Sequence, residues 1–332
     1  MDPARFEQPL SAEAMTRVMT DMLQGLMAPE AIRECLTRLA ARGETAEELA
    51  AAVEVLRASA VPLPLSSADR LCDTCGTGGD GLGSVNVSTL AALVAAAAGV
   101  RIAKHGNRAA SSRCGSADLL EALGVNLQAS PAQVARCLEE TGFAFCFAQQ
   151  FHPAMKVVAP IRKALGMRTL FNLIGPLANP ARLRYQLVGV SEARLLRPMA
   201  EALGRLGIRH GMVVRGADGM DEVTTTGPTA VLELRDGAIT ERPLDPQALG
   251  VPRASLQALA GGDVARNAAL AREMLQGVRS PVRDLVVVNA GCAIYVADQA
   301  ATIPEGLRKA DEALASGRAA ALLERVIAHS QQ

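Results

Sequence analysis

The chain has 332 residues, 49% of them hydrophobic, and its 34 Lys and Arg balance its 34 Asp and Glu for a formal net charge of zero. That length supports one large or two modest domains, and the charge balance argues against a general nucleic-acid or membrane-surface binder, which carries a basic excess. With aromatic residues at 2% and no tryptophan, the chain also lacks the material for a single-stranded nucleic-acid stacking platform. No basic start followed by an apolar run opens the sequence. Its longest apolar run, Leu90 to Val100, falls short of the roughly 20 residues that a membrane span needs. A soluble, cytoplasmic protein without membrane or nucleic-acid partners is expected. Seven scattered cysteines, an odd number, read as reduced thiols and not as a disulfide framework.

Residues 8–60 read as helical throughout. Gly43 closes one apolar-periodic segment and Thr45 opens the next, with Glu48 three residues on as a capping box. Leu49, Val53 and Leu56 follow at helical spacing. Pro62 and Pro64 break the pattern, so 61–69 reads as a linker. From residue 70, strands at 71–75, 100–104, 143–147, 186–190 and 211–215 alternate with helices that include 88–98, 116–123, 131–141 and 192–206. Ser130 and Pro131 make a good helix start and Gly142 a good stop. Alternating strands and helices imply an α/β fold with a mostly parallel sheet covered on both faces. The Val-rich segment 284–297 fits either a strand or a buried helix.

The densest chemistry lies at 73–89, where a strand runs into Gly76, Gly78, Gly79, Gly81 and Gly83, and Ser88 and Thr89 open a helix. Glycines let backbone amides approach a phosphate, and a helix N-terminus adds free N–H groups and positive partial charge. Gly76, Gly78 and Gly81 also match the G-x-G-x-x-G spacing. A dinucleotide site, however, wants an acid after the second strand, and here that strand ends in Lys104-His-Gly-Asn-Arg108. A basic end asks for another phosphate. The loop continues through Ser112 to Ser116, which stands at the start of the next helix. Two anion-friendly loops at the carboxyl edge of a parallel sheet suit a substrate with several phosphates.

Asp218-Gly-Met-Asp221-Glu222 follows the strand at 211–215. Adjacent carboxylates at a strand end are either Mg²⁺ ligands, acting with substrate phosphates, or a solvated acidic loop. Arg162, in the Pro- and Gly-rich stretch 152–180, is either a fork for a carboxylate or a solvated cation. Cys72 and Cys75 form a lone C-x-x-C on a strand, without the partners a zinc or redox site needs, and read as structural. His152 and His210, without the partner spacing of a metal site, read as hydrogen-bonded structural residues, and His329 falls near a frayed end.

Taken together, Gly-Thr-Gly-Gly-Asp (76–80), Asn-Val-Ser-Thr (86–89), Lys-His-Gly-Asn-Arg (104–108), Ser-Ser-Arg-Cys-Gly-Ser-Ala-Asp (111–118), His-Pro-Ala-Met (152–155), Arg-Thr-Leu-Phe-Asn-Leu-Ile-Gly-Pro-Leu (168–177) and Gly-Met-Asp-Glu (219–222) closely resemble the anthranilate phosphoribosyltransferases. Pyrimidine nucleoside phosphorylases share the fold and a version of the Lys-His-Gly loop, but not the 168–177 run. The resemblance implies a small N-terminal helical domain (1–65, joined by helices from about 152–182) and a large α/β domain (70–332) with a central, mostly parallel sheet. It also implies a homodimer and transfer of a phosphoribosyl group from 5-phosphoribosyl 1-pyrophosphate to the amine of anthranilate in tryptophan biosynthesis, with Mg²⁺. On that resemblance Gly76, Gly79, Asp80, Ser84, Asn86, Val87, Ser88 and Thr89 hold pyrophosphate and ribose. Lys104, Ser112 and Ser116 help hold the phosphorylated sugar, and Arg108 is a further substrate-binding residue. Ser88, Asp221 and Glu222 serve the metal, and Asn107 and Arg162 bind anthranilate. His105 and Pro176 line the route to the anomeric carbon, and no residue is assigned as a strong general base. Cys75 departs from the branched aliphatic usual before Gly76.

Overall fold

The computed structural model describes residues 6–67, 69–109 and 112–332. Three helices come first: α1 (Ala12–Leu23), α2 (Pro29–Arg42) and α3 (Ala46–Ala58). Each start has a local cause. The Ser11 hydroxyl accepts from the Ala14 amide, proline occupies the first turn of α2, and Thr45 and Glu48 form the expected capping box on α3. Glu48 does more than cap. It is fully buried, and one carboxylate oxygen accepts from the Leu10 amide at 2.9 Å and Arg42 at 2.6 Å. The other accepts from the Thr45 amide at 2.9 Å and its hydroxyl at 3.0 Å. One acid thus joins the chain entering α1, the end of α2 and the start of α3.

The sheet follows. In chain order the elements are β1 (Leu71–Gly76), α4 (Val87–Ala97), β2 (Arg101–Gly106), α5 (Ser116–Ala122), α6 (Pro131–Thr141), β3 (Phe143–Phe147), α7 (Ala148–Phe151), α8 (Ala159–Leu165), α9 (Leu170–Leu177), β4 (Tyr185–Gly189), α10 (Leu196–Arg205), β5 (His210–Gly216), β6 (Thr229–Arg235) and β7 (Ala238–Glu241). Helices α11 (Val264–Leu275), α12 (Pro281–Val296), α13 (Ile303–Ala315) and α14 (Arg318–Ser330) complete the chain. The strand order is β3-β2-β1-β4-β5-β6-β7, parallel from β3 to β5 and antiparallel for β6 and β7. The order reverses at β1, which has β2 on one side and β4 on the other. In open α/β sheets ligands bind in the crevice at the carboxyl ends of such strands.

The five parallel strands lie where periodicity put them, within a residue or two. The antiparallel pair β6–β7 was not foreseen. The ambiguous 284–297 segment is helix α12, buried along nearly its whole length, and its apolar character all round is what hid its period. It packs against α13 so closely that a Cβ at Gly306 would overlap the Gly291 carbonyl. The stretch 192–206 divides into a 3₁₀ turn and α10.

Two features join distant parts. Arg57 on α3 donates to the Leu177 carbonyl at 2.7 Å, tying the N-terminal helices to the end of α9. At the amino end of the sheet, His210 lies between Glu233 (3.0 Å) and Asp298 (3.2 Å). The Tyr295 hydroxyl donates to Glu233 at 2.6 Å, and the Tyr185 hydroxyl bonds Asp298. All seven cysteines are buried and none is in a disulfide, as expected of a structural C-x-x-C. Among the described residues, no helix is long and apolar enough to cross a membrane.

Glu48→Ala should lower unfolding free energy by about 3 kcal/mol, because it leaves the largely buried Arg42 unpaired and removes a cap. Glu13→Ala, which removes the exposed pair with Arg17, should stay within about 0.5 kcal/mol of the parent. Urea titrations of both variants check the contrast.

Candidate active site

The site is built where β1, β2 and β4 end. Beyond Gly76 the chain passes through Gly78, Gly79, Gly81 and Gly83, all at positive φ, a backbone only glycine adopts freely. Two anchors hold this loop down: the Thr77 amide donates to the Gly189 carbonyl at 2.9 Å, and the Gly78 amide donates to Asp221 at 2.7 Å. Arg168 clamps it from the side, donating to the Gly78 carbonyl at 2.8 Å while also bonding Ser191 and Glu192. The amides of Gly79, Asp80 and Gly81 have no partner among the described residues, so the loop presents a row of free N–H donors.

The carboxylates sit across the ends of β1 and β4, and this needs glycine on both strands. A Cβ at Gly189 would overlap the Asp221 carbonyl, and one at Gly76 would overlap the Asp221 carboxylate. Burial, and then the charge of Asp80, push the Asp221 carboxyl up to about 6. Burial and Asp221 drive Glu222 well above the usual carboxylate range, with Lys104 opposing. One oxygen of Asp80 accepts from the Leu82 amide, and the other is buried with no donor among the described residues. Three acids are thus crowded together where their charges repel. No group of three or more His, Cys, Asp or Glu side chains forms a closed metal cage among the described residues.

The start of α4 differs from expectation. Its first amides are not free: Val87 donates to Val85, Ser88 to Glu222 at 3.0 Å, and Thr89 to Asn86. The Val87 side chain is packed among Val85, Met220 and Leu259. Free donors come instead from the glycine loop, and the α4 terminus already has its acceptor, an oxygen of the Glu222 carboxyl.

Lys104 is buried to 1% exposure. Its ammonium donates to the Thr74 carbonyl at 2.6 Å and the Ser88 hydroxyl at 3.4 Å. Asp73, wholly buried beside it, accepts from the His105 amide and from Asn179; burial raises its carboxyl to about 6, with Lys104 opposing. The His105 ring packs edge-on against His152, centroids 5.1 Å apart. Burial, with His152 adding, lowers His105 to about 3, so the ring is neutral. Nδ1 lies 3.2 Å from the Gly175 carbonyl, which can only accept, so Nδ1 carries the proton and Nε2 is a bare lone pair without a partner among the described residues.

A cavity of about 600 Å³ runs from Gly76, Ser88 and Lys104 past His105 and Pro176 to Arg162 and Phe171. None of its lining residues is acidic. The Arg162 guanidinium stacks over the Phe171 ring at 5.3 Å and has no carboxylate partner among the described residues; burial alone pulls its pKa below the arginine norm. Asn107 and Ser116 bond each other across the loop, and Ser112 is exposed with its hydroxyl on the Cys114 carbonyl. Arg108 also lines the cavity, but its guanidinium is taken by Asp118 (2.9 Å) and Glu121 (2.7 Å).

Comparison with known proteins agrees with this layout. Residues 4–60 match the model of the glycosyl transferase family helical bundle domain, and residues 68–320 match that of its a/b domain. An anthranilate phosphoribosyltransferase of Rubrobacter xylanophilus is 49% identical over 326 residues, covering 98% of this chain and 95% of the relative. The chain belongs to the anthranilate phosphoribosyltransferase family. The crystal structure of the Thermus thermophilus enzyme matches all of both chains at 47% identity, with a TM-score of 0.94. The Saccharomyces cerevisiae enzyme, solved in complex with PRPP and Mg, matches at 28% identity and a TM-score of 0.86, covering 96% of this chain and 92% of that one.

Within this family frame the structure adds residues that the sequence reading did not single out. Asp73 and Asn179 brace Lys104 and His105 from inside, Arg168 clamps the glycine loop, and His152 lines the cavity where it was read as merely structural. A basic residue in the 168–177 run was the available signal for Arg168; nothing in the spacing pointed to Asn179. Arg168→Ala should free the glycine loop and raise the KM for the phosphorylated substrate about tenfold, with unfolding midpoint as the control for a global effect.

Proposed function

We propose that this chain catalyses transfer of the 5-phosphoribosyl group from 5-phosphoribosyl 1-pyrophosphate to the amine of anthranilate, releasing pyrophosphate, as a step of tryptophan biosynthesis. The observation that carries the reading is the cavity itself. One end, at Gly76, Thr77, Ser88 and Lys104, abuts the glycine loop and the crowded carboxylates, and the other holds a half-buried Arg162, without a carboxylate partner among the described residues, over an aromatic ring.

The roles follow from the chemistry of each end. The amides of Gly79 and Asp80, with Gly76, Ser84 and the polar side chains of Asn86, Ser88 and Thr89, would receive the pyrophosphate; Val87, packed in an apolar cluster, would only support the turn. Lys104, Ser112 and Ser116 would hold the phosphorylated sugar. Arg108, saturated by two acids, would act by fixing the 104–118 loop. Arg162 would fork the carboxylate of anthranilate, its aromatic ring shared with the apolar lining, and Asn107 would flank it. The bond from the anomeric carbon to the pyrophosphate oxygen breaks, the amine nitrogen bonds that carbon, and the amine gives up one proton to the departing pyrophosphate or to solvent. An aromatic amine is neutral and needs no deprotonation before attack. The bare Nε2 of neutral His105 is placed to accept a hydrogen bond along the way. Catalysis would be mostly positioning and electrostatics.

The residues fit a magnesium ion. Asp80 keeps a buried oxygen with no donor among the described residues, and burial holds both Asp221 and Glu222 above their normal carboxylate range, helped by the charge of Asp80 on Asp221 and of Asp221 on Glu222. Ser88, Asp221 and Glu222 would hold Mg²⁺, which supplies charge neutralisation for a pyrophosphate leaving group. A cytoplasmic homodimer formed through the helical domain is also proposed. It is supported by Leu26, 70% exposed, and Val157, 41% exposed, both near the α1–α2 turn.

The test is loss of anthranilate fluorescence with 5-phosphoribosyl 1-pyrophosphate and Mg²⁺, matched by pyrophosphate release and abolished by a chelator. Folded protein that gives no loss would overturn the reading. In active protein, Arg162→Ala should raise the anthranilate KM by about tenfold or more. Asp221→Ala with Glu222→Ala should lower turnover and blunt the response to added Mg²⁺.

A further inference from the structure

Asn267 lies on α11, outside every motif of the sequence, and is 3% exposed. Its side chain belongs to a run of hydrogen bonds whose direction is fixed at both ends. The Gly262 amide can only donate, and it meets Asn267 Oδ1 at 2.8 Å. Asn267 Nδ2 must therefore be the atom facing Asn86, at 2.9 Å from Asn86 Oδ1. Asn86 Nδ2 in turn donates to the Cys114 carbonyl at 2.9 Å, which can only accept. No member can flip without setting donor against donor or acceptor against acceptor. Asn267 also hydrogen-bonds the Cys114 thiol.

The run joins the two loops that the proposed function assigns to the phosphorylated substrate. Asn86 stands at the first position before α4, at the end of the glycine loop, with its side chain turned to this run and not to the helix amides, and Cys114 stands between Ser112 and Ser116. The same segment supports the glycine loop through its backbone, since the Gly261 amide donates to Gly83 at 2.9 Å and the Val85 amide to Leu259 at 3.3 Å. A Cβ at Gly261 would clash with Asn267 Oδ1 and sit 2.9 Å from the Ser84 carbonyl, so the packing around this amide is tight. Asn86 spends one amide hydrogen and one acceptor site on the run, leaving one of each uncommitted.

We infer that Asn267 is a positioning residue for 5-phosphoribosyl 1-pyrophosphate: it sets which way the Asn86 amide faces and so holds the 83–89 and 112–116 loops at one spacing. The inference rests on the proposed function. It predicts an effect confined to one substrate, because the amide run touches neither Arg162 nor Phe171.

Asn267→Ala and Asn267→Asp test it. Asp keeps an acceptor for Gly262 but turns a second acceptor toward Asn86 Oδ1, so it should be the more damaging change despite its nearly identical shape. The KM for 5-phosphoribosyl 1-pyrophosphate should rise about tenfold in Asn267→Ala and further in Asn267→Asp, while the KM for anthranilate stays within about twofold. Asn86→Ala combined with Asn267→Ala should bind no worse than Asn86→Ala alone, since both remove one coupled unit. A lower unfolding midpoint with both KM values unchanged would mean a purely structural role and would overturn the inference; so would equal rises in both. Calorimetric titration with 5-phosphoribosyl 1-pyrophosphate separates the two layers. A parent that binds it but transfers nothing sinks the reaction assignment alone. Variants that bind it as tightly as the parent sink the role of Asn267 alone, and a parent that does not bind it sinks both.

Discussion

The structure is organised around one buried cation. Lys104 has lost its water, and a lone ammonium in such surroundings costs several kcal/mol unless partners repay it. Its partners come from β1, α4 and the carboxylate loop: the Thr74 carbonyl on β1, the Ser88 hydroxyl on α4, and the nearby carboxyls of Asp73 and Glu222. Removing any of them leaves a charge stranded, so β1, β2, α4 and the carboxylate loop are held to one arrangement. The excess of acid over base around Lys104 is what a bound cation would offset, and the free amides of the glycine loop are what a polyphosphate would complete.

Around that centre the cavity separates two kinds of recognition. The end at β1 and β2 offers backbone amides and hydroxyls to a highly charged, flexible ligand. The end at α8 and α9 offers one guanidinium and one ring to a small flat acid. His105 stands between them, kept neutral by burial, so the middle of the cavity carries no positive charge that would repel a sugar acquiring one.

Much of this was legible in the sequence because it depends on short-range rules. The capping box at Thr45, the stop at Gly142 and the parallel strands follow from local periodicity and conformation. The glycine loop was also visible as an anion site, although its donors come from Gly79 to Gly81 and not from α4, whose first amides are taken by Glu222, Val85 and Asn86. What stayed hidden depends on contacts between residues far apart in the chain. Asn179 braces Asp73 across 106 positions, Arg57 reaches Leu177 across 120, and Arg108 is claimed by acids that periodicity cannot pair. Helix α12 was ambiguous for a different reason: a helix buried on every side has no polar face to show its period. The strands β6 and β7 were missed because a hairpin at the sheet edge breaks the βα alternation on which the rest of the reading relied.

The distribution of aromatic residues has an optical consequence. The chain has no tryptophan and two tyrosines. Both tyrosines lie at the amino end of the sheet, bonded to Asp298 and Glu233, while the cavity opens at the carboxyl end. Intrinsic ultraviolet emission therefore reports on the His210 cluster and is silent about the cavity. Light from a fluorescent ligand at Arg162 reaches the detector without an indole background, and a single tryptophan placed in the cavity wall would be a site-specific reporter from the start.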